Sequence, residues 1–450
     1  MNKKLVALAV GGAFALPFAV QAQTANVTLY GRVNIDLEFV KGSTCINGIT
    51  NGAGAGVAMP ANCSALSNAS AATAISNPTV NRVSSNSSRF GMRGTESLGG
   101  GLNAVFQIEQ NASVDTGNAS SSGIASRESF AGLQGGWGRV ILGKFLMPMD
   151  DMHPIFGNAP TFTTSILSTA TLWAQGNLSK SNGGWDARTG NNIRYDTPNM
   201  MGFTAAVQYS TRDDTGNTTQ TPNGGDNGDH PSVINHAYVI GGNIIYSNGP
   251  LVIGAGGEVN RNVRNSFATG GPNLRDTDWT VTASYNFGTL FQGFGLQLAG
   301  VYEQTRYKVQ SPVTAGSSCN VGTGGTCGLN RDFYGVSGTV PVGAGKLYGF
   351  YGHASNGKGS APDGTAVGYL VHGSNTSAKQ WEVTYTYALS PRTSLYGGYV
   401  KIDNGCKAGY TFNINPYPIA VGTQGAATGS AGDFCSGKPQ GAVFGMLHTF

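Results

Sequence analysis

The chain has 450 residues with 27 basic and 23 acidic side chains, and only 11% of its residues are charged, against 69 glycines and 10% aromatics. So even a balance gives no electrostatic footprint for nucleic acid, and beyond residue 22 no apolar run approaches the roughly 18 residues of a membrane-spanning helix. Low charge, abundant glycine and frequent tyrosine and phenylalanine without helical periodicity point to an all-β protein. Composition leaves a secreted adhesin or a glycine-rich disordered chain open.

The first segment, MNKKLVALAVGGAFALPFAVQAQT, carries Lys3 and Lys4, an apolar stretch from Leu5 to Val20 broken by Pro17, and the small-x-small ending Val20-Gln21-Ala22. That order predicts a secretory signal peptide over residues 1–22, cleaved after Ala22, and a single mature unit over 23–450. Loss of the two lysines leaves 25 basic and 23 acidic residues.

The next segment, VTLYGRVNIDLEF (27–39), alternates strictly. Val27, Leu29, Val33, Ile35, Leu37 and Phe39 share one face of an extended strand, with Gly31 among them; Thr28, Tyr30, Arg32, Asn34, Asp36 and Glu38 share the other. The pattern recurs in LNAVFQIEQ (102–110), WTVTASYNF (279–287) and QWEVTYTYAL (380–389). Period-two alternation marks strands with one apolar and one wet face.

Connections between such strands alternate in length. Tight ones fall at 98–101, 135–138, 197–201, 247–250, 288–293, 341–345 and 390–392. Long ones, rich in Asn, Ser, Thr and Gly, cover about 41–86, 111–126, 145–191, 211–235, 262–276, 309–330, 354–378 and 403–439. Seven short and eight long connections predict a sixteen-stranded antiparallel transmembrane β-barrel with short periplasmic turns and long extracellular loops. A strand needs only about 9–11 residues to cross hydrocarbon, and closure removes the unpaired edge that lipid would penalise. Tyrosine and phenylalanine near strand ends, as in NIRYDTP, VQYS and ASYNFG, fit interfacial girdles.

No residue pattern asks for a cofactor or metal. CxxC and HExxH are absent, GAGAG (52–56) lacks the Gly-Lys-Ser/Thr of a phosphate loop, and the six histidines stand near no nucleophile motif. The chain therefore reads as no enzyme. Six cysteines form three local pairs, Cys45 with Cys63, Cys319 with Cys327 and Cys406 with Cys435. Oxidising surroundings after export favour disulfides, nearest-neighbour pairing first, although six cysteines allow other connectivities and free thiols.

The final strand, GAVFGMLHTF, puts Phe444, Met446, His448 and Phe450 on one face. It resembles the C-terminal signature of bacterial outer-membrane barrels, with a histidine two places before the terminal Phe as in neisserial porins. SRFGMRGTESLGGGLNAVFQIEQ (88–110), SFAGLQGGWGRVILGK (129–144) and NIRYDTPNMMGFTAAVQYS (192–210) resemble the general porins of the same Gram-negative group (neisserial, Burkholderia and Bordetella types). Residues 44–80 and 403–438 look particular to this chain. The resemblance implies a homotrimeric, water-filled channel for ions and small hydrophilic solutes in the outer membrane. It implies contact with lipid and lipopolysaccharide, and insertion by the barrel assembly machinery reading the terminal segment. It also implies a third long loop, about 145–191, folded inward to narrow the pore.

Diffusion through such a hole needs only suitable charges at its narrow point. Polar-face parity puts Arg32, Arg89, Arg93, Arg139 and Arg194 inside, with Arg127 beginning a nearby strand. Lys144 stands where the family often has a wall arginine, but shares parity with outward Val140 and Leu142, so it joins the row only if that strand bends or ends there. The family arrangement sets a basic wall against acids on the third loop, here Asp150 and Asp151, with Asp186 behind them. For Arg32 the alternative is pairing with Asp36 or Glu38; for the two aspartates it is a capping or turn role. Excess inward arginine predicts weak anion preference, opposed by inward Asp36, Glu38, Glu109 and Glu382. A substrate-specific channel for a sugar or organic acid, and a non-conducting adhesin, are the competing readings.

Overall fold

The structure, a computed structural model, describes residues 26–42, 45–46, 75–76, 79–117, 124–156, 165–175, 184–211, 238–261, 275–290, 295–310, 326–367, 369–412 and 436–450, with 263, 414 and 416. The expected signal segment 1–22 and Cys63, Cys319 and Cys435 lie outside the described residues.

Sixteen antiparallel strands form a closed barrel. They are β1 (Asn26–Gly42), β2 (Val80–Ser85 continued by Arg89–Gly99), β3 (Leu102–Asn111), β4 (Ser129–Gly135), β5 (Gly138–Leu146), β6 (Arg188–Asp196), β7 (Phe203–Ser210) and β8 (Tyr238–Asn248). The circuit continues with β9 (Leu251–Arg261), β10 (Arg275–Asn286), β11 (Gln297–Gln310), β12 (Thr326–Val342), β13 (Gly345–Ala354), β14 (Ala378–Ser390), β15 (Thr393–Asn404) and β16 (Pro439–Thr449). Each strand pairs with its neighbours in sequence, and β16 pairs back onto β1 in the register Val33↔His448 and Leu37↔Phe444. Short ladders, such as Ala366–Val367 with Leu370–Val371, sit in the long loops. Among the described residues no helix is long and apolar enough to cross a membrane.

The alternation is carried into the wall as expected. On β1, Leu29, Leu37 and Phe39 are exposed on the outside while Asn34, Asp36 and Glu38 are buried on the inside. On β14, Trp381 and Val383 face out and Gln380, Glu382 and Thr384 face in. Aromatic pairs ring both ends of the outer surface: Trp137–Tyr195 and Phe203–Tyr246 towards the turns, Tyr209–Tyr238 and Tyr351–Trp381 towards the loops.

One glycine shapes the end of this seam. The Gly31 amide donates to the Phe450 carbonyl and the Phe450 amide to the Gly31 carbonyl, both at 3.0 Å. A Cβ on Gly31 would lie 2.4 Å from the Phe450 ring and 2.7 Å from the Arg89 backbone carbonyl, and the carbonyl, unlike the ring, cannot swing aside, so glycine fits best here.

The apolar core lies inside the barrel, because the described parts of the third long loop, 147–156, 165–175 and 184–187, fold inward. The loop begins with a 3-10 helix, Asp150–Phe156, and buries Met149, Met152, Ile155, Phe156, Ile166, Leu167, Leu172, Trp173 and Trp185. Inward glycines receive it: a Cβ at Gly256 would meet Met152 at 3.0 Å, one at Gly254 Ile155 at 2.9 Å, and one at Gly441 Ile166 at 2.7 Å. Strands β12, β13, β15 and β16 answer with inward Phe333, Phe350, Val400, Ile402 and Val443. At about 1.5–3 kcal/mol per fully buried large apolar side chain, this packing fixes the loop against one side of the lumen.

Candidate pore-lining site

The arginines are carried by the inner wall of β2–β6 with the turn end of β1; on β5 and β6 that wall is partly covered, with Ile141, Phe145, Thr189 and Asn192 buried. A bulge in β2 organises the first of these arginines. The register runs Ile35↔Ser85 and then Arg32↔Arg89, one residue more on β2 than on β1, with Ser87 at φ 54°. Carbonyls released from the ladder there, Ser87 O at 3.3 Å and Asn86 O at 3.5 Å, accept from the Arg32 guanidinium. Arg32 therefore does not take the alternative partners on its own strand; Glu38 is held by Arg82 at 2.5 Å.

Glu109 on β3 is shared. Arg127 Nε donates to it at 2.6 Å, Arg89 Nε lies 3.3 Å away, and the Tyr30 hydroxyl donates at 3.1 Å. Arg127 lies just before β4 rather than on it. Arg32, Arg89 and Arg127 are close enough to repel one another, and Arg127 also repels Arg188. Arg93, two positions nearer the turns than Gly91, sits over the Tyr30 ring at 5.0 Å with no carboxylate partner among the described residues.

Towards the turn end of β5 and β6, Asp196 accepts from Arg139 Nη2 at 2.7 Å and from Arg194 Nε at 2.7 Å. Asp151 from the inward loop takes the other side of Arg194 at 2.6 Å and also accepts from Asn243 at 2.9 Å. Asp151 thus touches the basic wall directly instead of facing it across a gap. Lys144 is opposite Ser129 and keeps the parity of outward Leu142; β5 runs on to Leu146, and the bulge beside it, from Gly143↔Asn192 to Phe145↔Thr189, is on β6. The structure does not bring Lys144 into the row.

Of the inward acids expected to offset these arginines, Asp36, Glu38 and Glu382 are each no more than 3% exposed, and Glu109 lies among the arginines themselves. Glu258, Asp276, Asp278 and Glu303, not singled out in the sequence, are likewise no more than 3% exposed. The loop seals several of them: Ser165 Oγ donates to Asp36 at 3.3 Å and the Ala174 amide to Glu303 at 2.7 Å, while Arg331 pairs with Glu303 from the neighbouring strand. Covered acids without an arginine-wall partner sit on one side of the lumen; on the other sit the arginines together with Glu109, Asp151 and Asp196, each of which they hold. The pairings leave Arg32, Arg93 and one charge of the Arg89–Arg127 pair uncompensated.

Sequence reading missed a clasp between the two ends of the inward loop. His153 is buried against the Trp173 ring, 4.1 Å between centroids, and its Nε2 lies 3.1 Å from Asp186 Oδ2. Burial pulls the imidazole down, but Asp186, with Asp150 and Glu303 nearby, outweighs it and lifts His153 above the usual histidine range. Burial, reinforced by Asp186 and Asp151, pushes the Asp150 carboxyl up to about 7 against the pull of His153. Donor atoms of Asp150, His153 and Asp186 lie within 4.8 Å of one another. The short His153–Asp186 approach is that of a hydrogen-bonded clasp; spacing of 33 residues hid it from motif reading.

Comparison with known proteins agrees with a closed antiparallel barrel. The profile of the Gram-negative porin family fits residues 5–407. The chain belongs to that family. This porin is 30% identical over 452 residues to outer membrane porin protein 32 of Delftia acidovorans, covering 100% of both chains. It is 31% identical over 213 residues to the major outer membrane protein P.IB of Neisseria sicca, covering 47% of this chain and 48% of that one. Among solved structures it resembles the anion-selective porin from Comamonas acidovorans at 25% identity and a TM-score of 0.60, covering 95% of this porin and 100% of that chain. OmpT of Vibrio cholerae, at 14% identity and a TM-score of 0.55, shares the fold alone.

This porin is therefore an outer-membrane channel for passive diffusion, and its family and fold are those of a channel rather than an enzyme. At its seam, Phe444, Met446, His448 and Phe450 share the outward face of β16, and His448 Nδ1 lies 2.9 Å from Thr393 Oγ1. Cys327 and Cys406 are disulfide-bonded. Their expected partners, Cys319 and Cys435, and Cys63, expected opposite Cys45, fall outside the described residues.

Proposed function

We propose that this porin passes ions and small hydrophilic solutes with a weak preference for anions, and that Arg32, Arg89, Arg93 and Arg127, with Arg139 and Arg194 as paired neighbours, set that preference. The observation that carries the reading is the sorting of charge across the lumen. Asp36 and Glu303 lie buried against the inward loop, and the acids on the open side, Glu109, Asp151 and Asp196, are each held by arginine, whereas Arg89 and Arg93 keep contact with the water path. Rings or rows of fixed charge select ions in this way. Asp151 acts as a fastener between loop and wall, and Asp150 as part of the loop's internal packing. The similarity to an anion-selective porin supports the sign.

We extend the proposal to the assembled state. The protein is exported by residues 1–22, is inserted through its terminal segment ending at Phe450, pairs its cysteines with their nearest neighbours, and works as a homotrimer among lipid and lipopolysaccharide. Planar-bilayer recording tests both parts. Reversal potentials in a KCl gradient should have the sign of chloride preference, and conductance should rise in steps of three. Replacing Arg89 and Arg93 with alanine should move the reversal potential towards potassium. An unchanged value removes them from the selective path.

A further inference from the structure

The turn end of the arginine wall holds a recess separate from the Arg32–Arg89–Arg127 group. It has a volume of about 270 Å³ and is lined by Arg93, Val105, Gln107, Phe130, Gln134 and Arg139 among its neighbours. At about 30 Å³ per water, this is room for roughly nine water molecules. Every one of these residues lies within a few positions of a tight turn, so the recess opens on the periplasmic side of the loop.

Its chemistry is asymmetric. Arg139 is matched by Asp196 and leans over the Phe130 ring at 5.7 Å. Among the described residues Arg93 has the Tyr30 ring and no carboxylate partner behind it, and no carboxylate lines the recess. Arg93 and Phe130 are both registered to Gln107, on strands either side of β3, so their backbones stand about 10 Å apart, two strand spacings. A guanidinium offers a carboxylate two parallel donors, and a phenyl edge or face takes another ring. Gln107 and Gln134 add neutral amides that can donate or accept and so favour neither sign of charge.

We propose that this recess is a binding site for aromatic monocarboxylates of benzoate size, held by carboxylate to Arg93 and by ring against Phe130. The proposal rests on the reading of the arginine wall as an anion path, and gives that path a preferred organic cargo at its periplasmic end. An anion leaving the inner arginines meets here the next uncompensated positive charge, together with an apolar surface that chloride does not use.

The test is current recorded in KCl while benzoate, acetate or benzyl alcohol is added, with binding to the purified porin in detergent measured alongside. Benzoate should reduce the current saturably. Acetate, which lacks the ring, and benzyl alcohol, which lacks the charge, should need at least tenfold higher concentrations. Arg93→Gln should raise the half-saturating benzoate concentration about tenfold and Phe130→Leu severalfold. Equal effects of acetate and benzoate, or unchanged half-saturation in both variants, would overturn the site. The KCl reversal potential of the unaltered porin reads the wider anion path by itself. Chloride preference without benzoate binding fails the recess alone, whereas benzoate binding in a potassium-preferring channel supports the recess and fails the wider reading.

Discussion

Trp173→Ala separates the inward loop's two roles, narrowing the hole and hiding acids. The indole is 1% exposed, 4.1 Å from the His153 ring and 5.2 Å from Phe156, which reaches Phe350 on β13 at 6.1 Å. Truncating a buried tryptophan costs about 3–5 kcal/mol. At 1.36 kcal/mol per decade, that weakens docking of the loop by about two to four decades. The barrel keeps its own ladder bonds, so the loss falls on the loop. The neighbouring tie from the Ala174 amide to Glu303 would loosen with it, and Glu303 and Glu382 would meet water. Single-channel recording should then show a larger, noisier open level and a reversal potential shifted towards potassium. Heat-shifted mobility on a denaturing gel should still report a folded barrel. A variant with lowered thermal stability but unaltered conductance and selectivity would refute the idea that this loop sets the pore.

The loop should also respond to pH. Because Asp150 in the folded protein is pushed up to about 7, its contribution to docking is fully present below the unfolded value near pH 4 and is lost as pH rises through 7. His153, raised as well, has the same sign: its share is present below about 6.5 and lost above its elevated value. Current noise should therefore grow between pH 5 and 8, and Asp150→Asn should flatten that growth; an unaltered profile would exclude Asp150. Gly31→Leu should cut the folded fraction on a heat-shift gel severalfold, because its side chain enters the Phe450 ring, whereas Gly349→Ala, with open space around the new Cβ, should assemble normally. Breaking the buried pair by Arg331→Met alone should cost about 3–5 kcal/mol in thermal denaturation, and adding Glu303→Gln should recover much of it. Equal loss in both would mean the pair is not coupled.

Much of the fold was legible because its signal is short-range. Leu37 and Phe39 point to lipid while Asp36 and Glu38 point inward through nothing more than pleat geometry, and the eight long connections follow from strands that must turn around. The parity of Arg32, Arg89 and Arg194 was readable for the same reason. Lys144 shows the edge of that method: parity warned against it, while family likeness argued for it, and the β6 bulge beside it left no trace in the sequence.

Which inward groups still meet water was a different kind of question. Parity assigns a face but says nothing about what covers that face. Asp36 is met by Ser165 across 129 positions, and Asn34 by Tyr396 across 362. The sequence by itself settled an alternating wall between hydrocarbon and water, because residues i and i+2 suffice to write it. Only the folded loop decided which charges the lumen retains, since hiding the acids and leaving the arginines wet requires contacts between segments that the chain brings together after the barrel closes.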